Sequence, residues 1–74
     1  MTLEQKKGIV RTLRINQEHG MILGEDGENY FFHRAGFRGA WENLREGDYV
    51  SFDVIPSGKG VKAVSVRLLK IGGE

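Results

Sequence analysis

The sequence predicts an all-β domain: a small barrel of five short antiparallel strands. Three observations carry that expectation. Eleven glycines and a single proline cut the 74 residues into short segments, with no linker, internal repeat or low-complexity tract. Two of the segments alternate cleanly, Val50, Phe52 and Val54 against Ser51 and Asp53, then Val64, Val66 and Leu68 on one side of the last segment. Helical periodicity is absent, apart from room for a single turn at Trp41–Arg45.

The strands are expected at Gly8–Ile15, Gly20–Gly24, Asn29–His33, Asp48–Ile55 and Val61–Leu69. In the first, Val10 and Leu13 lie an odd number of residues apart, so a bulge or strong coil is needed to bring both to one face. Glu25–Glu28 reads as a hairpin turn with Gly27 free to adopt positive φ, and Ser57–Gly60 as a second flexible connection. Five short strands in about 60 residues are too few for an immunoglobulin-type sandwich, and a flat sheet would leave its edges open. Closure into an OB-type or an SH3-like barrel answers both constraints, and periodicity does not choose between them.

Composition narrows the function. The chain forms one domain, residues 1–74 with its core at about 7–69, near the size at which an apolar core alone sustains a fold. Without cysteine there is no disulfide and no thiolate zinc site, and His19 and His33 are the only imidazoles, so no metal and no cofactor are expected. No apolar run reaches the roughly 20 residues that cross a bilayer, and the start M-T-L-E-Q-K-K-G lacks an apolar signal region. The expectation is a soluble, cytoplasmic protein with no membrane partner. Net charge is +1, but the charges are sorted: Glu25, Asp26 and Glu28 cluster in one turn, while Lys6, Lys7, Arg11 and Arg14 crowd the first strand, and Arg34, Arg38, Lys59 and Lys62 flank later loops.

The stretch N-Y-F-F-H-R, Asn29–Arg34, concentrates aromatic rings in a chain that is 9% aromatic. Side chains alternate along a strand, so Tyr30 and Phe32 share one face, and Phe31 and His33 the other. Burying His33 would demand a hydrogen-bond partner for its imidazole. The less costly arrangement turns Tyr30 and Phe32 inward and leaves Phe31 beside His33 on the surface, where a large exposed ring implies a use.

The order of these signals resembles the cold-shock domain over nearly the whole chain, about Lys7 to Leu69. The resemblance lies in G-I-V-R, the glycine-centred second strand, Y-F-F-H, and above all L-R-E-G-D-Y-V-S-F-D-V followed by G-K-G-V-K-A-V-S-V. It implies an OB-type five-stranded barrel that binds single-stranded RNA or DNA by stacking bases on exposed aromatics over a basic groove. Such domains act as RNA chaperones or as regulators of transcription and translation. Carried over position by position, the binding residues are Arg11, His19, Met21, Phe31, His33, Arg34, Trp41 and Lys59. Several depart from the family pattern. Thr12 stands where the first-strand tryptophan is found, His19 and Met21 replace two phenylalanines, and Arg34 replaces a third. Stacking is worth roughly 1–3 kcal/mol per base, so binding is expected to weaken to micromolar or beyond and to change its base preference.

Structural readings stand beside these. Phe31 in the opposite register would be a core ring, Trp41 a core lid, His33 a structural imidazole, and Arg34 and Arg38 solvated loop charges. The rival function is a protein-interaction or self-associating module; a monomer is expected, a dimer being the alternative. No P-loop, dinucleotide glycine pattern or carboxylate constellation points to an enzyme or a small-molecule substrate. With both histidines on the face, binding should tighten from pH 8 to pH 6, the range in which imidazoles gain charge.

Overall fold

The computed structural model describes residues 5–58 and 60–69. Six strands form one sheet: β1 (Lys6–Arg14), β2 (His19–Gly24), β3 (Asn29–His33), β4 (Phe37–Arg38), β5 (Tyr49–Ser57) and β6 (Gly60–Leu68). Their order is β3-β2-β1-β5-β6-β4, and a parallel pairing of Phe31 with Lys62 joins β3 to β6. Strands β1, β2, β3, β5 and β6 thus close a five-stranded barrel, with β4 added along β6. The expected strands are all present: Asn29–His33 has the expected bounds, and the ends of the others differ by at most two residues. Closure is parallel rather than antiparallel, because β3 and β6 meet only after the chain has gone round the barrel. The two-residue β4 was not expected from sequence, being too short to show alternation.

Alternation on β3 places Tyr30 and Phe32 in the core and leaves Phe31 outside, 42% exposed. The core gathers Val10, Ile22, Tyr30, Phe32, Trp41, Leu44, Val50, Phe52, Ala63 and Val66. Rings meet at angles suited to their quadrupoles, Tyr30 against Phe52 at 5.1 Å and Phe32 edge-on to Trp41 at 5.9 Å. Gly20 makes this possible: a Cβ there would lie 2.8 Å from the Phe32 ring and 2.7 Å from the Thr12 carbonyl oxygen. Between Glu25 and Glu28 the turn has the expected form, with Gly27 at φ 87° and the Asp26 carboxylate accepting from the Glu28 amide at 3.0 Å.

Two bulges set the barrel's register. In β1 the pairing with β2 slips between Val10 and Thr12, so Val10 and Leu13 both turn inward, as their odd spacing required. In β6 the pairing with β5 slips at Ser65, which sits at φ 51°. The expected alternation of Val64, Val66 and Leu68 is corrected by that residue. Ala63 and Val66 are buried, Val64 is half-buried and Leu68 is 39% exposed, because one left-handed residue shifts the side-chain phase. The turn at Trp41 is a 3-10 turn over Trp41–Asn43, and a second one, Arg34–Gly36, follows β3 directly.

Candidate functional site

The outward face of β1, β2 and β3 carries the exposed apolar and basic side chains. Cross-strand pairs define it: Thr12 opposite Met21 and Arg14 opposite His19 on β1 and β2, then His19 opposite His33 and Met21 opposite Phe31 on β2 and β3. Its centre is a contact between the His19 and Phe31 rings, 5.4 Å apart and inclined by 34°. Phe31 is exposed and His19 partly so, which puts the two rings side by side on the outer face. At its upper end the His33 Nδ1 accepts from the Ala35 amide at 3.3 Å. That bond orients the ring and, in the neutral imidazole, leaves Nε2 as the protonated nitrogen facing outward.

Arg11 is the residue bulged out of the β1–β2 ladder, and its Nη1 donates to the Asn29 Oδ1 at 3.2 Å. The bond lays the guanidinium across β2 toward β3, so Arg11 joins His19, Met21, Phe31 and His33 on the face. Arg34 is held differently. Its Nη1 lies 2.9 Å from Glu18 and its Nη2 3.7 Å from Glu42, so two carboxylates flank one guanidinium at the rim. Lys59 lies outside the described residues.

Trp41 requires a correction. The resemblance implied a base-contacting ring, whereas the indole is 3% exposed, wedged between Phe32 and Phe37, and donates through Nε1 to the Ile15 carbonyl at 3.1 Å. A large amphipathic ring that fills a core gap and satisfies its single donor has no free face to give. Its structural reading as a core lid is the one observed.

The sequence reading left several neighbours out. Ile9 and Leu23 pair across β1 and β2 and stay 44% and 38% exposed, extending the face with aliphatic surface. Arg14 sits opposite His19, and Lys62 opposite Phe31 on the far side of the barrel seam. The pattern of outward positions on β1 could have flagged Ile9; Lys62 depends on the β3–β6 closure and had no local signal.

Charge is graded along the face. The turn between β2 and β3 forms an acidic end, where Asp26 accepts from the Tyr30 hydroxyl at 2.5 Å and faces Lys6 at 3.7 Å. The Tyr30 bond, with the Glu28 amide and the Lys6 ammonium, holds the Asp26 carboxyl below its ordinary range, burial acting the other way. The same bond and burial push the phenol up to about 12. Tyr49 donates to Glu25 beside it, which raises the Tyr49 phenol above its ordinary value. The bond to Tyr30 favours the ionised form of Asp26 at this end, away from the imidazoles at the other.

Comparison with known proteins places this geometry. The 'Cold-shock' DNA-binding domain family matches residues 6–69. Cold shock protein 1 of Lactiplantibacillus plantarum is 34% identical over 62 residues, covering 82% of this chain and 94% of the relative. The solved structure of Drosophila Unr CSD456 superposes on 97% of the chain with a TM-score of 0.80 at 19% identity. This chain spans 29% of that one, and the likeness shows the fold, an OB-type barrel.

Proposed function

The chain belongs to the cold-shock domain family, and on that premise we propose that it binds single-stranded RNA or DNA on the outer face of β1, β2 and β3. The family binds single-stranded nucleic acid and is not enzymatic. The observation that carries the proposal is the inclined pair of rings formed by the exposed Phe31 and the partly buried His19, flanked by Met21, His33 and Arg11. One base stacks on Phe31, and the next meets the His19 imidazole, a smaller platform than the family's phenylalanine. Met21 packs its thioether against ring edges, and Arg11 reaches the backbone phosphates or lies flat on a base. With Thr12 in place of a first-strand tryptophan and Arg34 held by carboxylates, fewer bases are gripped, and affinity in the micromolar range follows. Shallow, base-tolerant binding suits an RNA chaperone or a regulator of transcription or translation, which must release its strand readily.

The test is a titration of labelled single-stranded pyrimidine and purine oligomers, with a duplex control, against the parent chain and Phe31→Ala. Binding of single strands that drops about 5- to 150-fold in the variant, the equivalent of about 1–3 kcal/mol for one lost stack, supports the platform. Equal affinity of the two proteins would sink it. Binding of no oligomer at all would turn the face, with its exposed Ile9 and Leu23, toward a protein partner.

A further inference from the structure

Beyond His33 the face has two ways out. One leads over Arg34, where Glu18 and Glu42 outnumber the guanidinium they flank. A phosphodiester taking that path would meet net negative charge. The other leads into a cleft of about 550 Å³ between the Arg34–Gly36 turn, β4 and β6, lined among others by His33, Ala35, Gly36, Arg38, Lys62 and Ser65. The described residues lining it include two cations and no carboxylate, and neither Arg38 nor Lys62 makes an ion pair among the described residues. The cleft is continuous with the platform: His33 lines both, and Lys62 pairs with Phe31 across the barrel seam.

We propose that this cleft takes the phosphodiester backbone of a single strand leaving the platform, so that the strand passes His33 toward Arg38 and Lys62 and avoids Arg34. The inference rests on the nucleic-acid reading of the face. It also specifies the chemistry of the exit, which is phosphate rather than base. The rings lining it are His33, which also belongs to the platform, and Phe37, which is half-buried and packs against the buried Trp41 at 5.9 Å. The donors present suit phosphate instead: a guanidinium fork, an ammonium, and the hydroxyl of Ser65, carried outward by its left-handed backbone at φ 51°. Replacing a stacking ring by Arg34 and fixing that arginine between carboxylates closes one exit and leaves the basic one.

The deciding experiment titrates oligothymidylates of about 4 to about 16 nucleotides, the span that OB folds occupy, against four proteins. These are the parent, Phe31→Ala, Arg38→Gln with Lys62→Gln, and Glu46→Gln as a charge control away from the cleft. Thermal melts of each confirm folding. The expected result is that the double variant binds the shortest oligomers like the parent and loses about tenfold per phosphate contact on the longer ones. Its slope of log affinity against log salt should fall by about 0.7 for each phosphate released. Equal loss at all lengths, or no loss at any, with the parent binding normally, would overturn the cleft while leaving the platform intact. A parent that binds no oligomer would overturn both, and the Phe31→Ala arm separates the two failures.

Discussion

Phe31 and Phe32 are adjacent, chemically identical and put to opposite uses. Phe32 is fully buried against Gly20 and Trp41, whereas Phe31 keeps 42% of its surface in water. Phe32→Ala should therefore cost about 3–5 kcal/mol, a large part of the stability of so small a domain, while Phe31→Ala should shift the melting temperature by only a few degrees. Thermal unfolding followed by circular dichroism measures both. A large loss of stability in Phe31→Ala would place that ring in the core and reverse the assignment of faces. The distinction was legible because a strand has period two and one neighbour of Phe31 on its own face is a histidine. Trp41 was not legible in the same way: it lies in a loop, where no period says which way a side chain points. Its partners Phe32, Phe37 and the Ile15 carbonyl come from three separate parts of the chain.

At the scale of the strand, the bulges decide what each residue sees. The β1 bulge was visible in the odd spacing of Val10 and Leu13, and it is what throws Arg11 onto the face. The β6 bulge left no trace, since Val64, Val66 and Leu68 alternate as an unbroken strand would. Ser65 absorbs it at φ 51°, a conformation that costs an L-residue about 1–2 kcal/mol. Ser65→Gly removes that cost and returns about 0.5–1 kcal/mol through the freer unfolded chain, so a net gain on the order of 0.5–1 kcal/mol is expected. Ser65→Val should go the other way, because a β-branched residue tolerates positive φ least. Urea midpoints ordered Gly above Ser above Val would bear this out; an unchanged midpoint in all three would mean that the bulge relaxes on substitution.

Across the whole molecule the barrel separates an acidic end, at the β2–β3 turn, from the imidazole end and its basic cleft. The acidic end is tied to the core by the bond from Tyr30 to Asp26, and that tie gives stability a definite pH dependence. Asp26 titrates below its ordinary 3.8 in the folded protein, so its contribution is complete above that value and is lost as pH falls through the lower folded value. Tyr30 is shifted up from 10.0 to about 12, so its contribution is complete below pH 10 and fades between the two. Tyr30→Phe deletes the bond from both sides. The variant should show a shallower fall in stability below pH 4 and between pH 10 and 12, read from denaturant midpoints across the pH range. Slopes identical to the parent's at both ends would show that other groups govern them.

The five barrel strands, the inward and outward faces of β3 and the turn at Gly27 were legible in the sequence alone. Each depends on local regularities: alternation, turn chemistry and the spacing of glycines. What tertiary structure decided was everything that joins distant segments. The β3–β6 seam brings Lys62 beside Phe31, the core takes Trp41 away from the surface, and two carboxylates from separate turns converge on Arg34. The physical reason is the same in each case. Barrel closure and core filling are settled by contacts between residues far apart in sequence, whose energies no local pattern encodes.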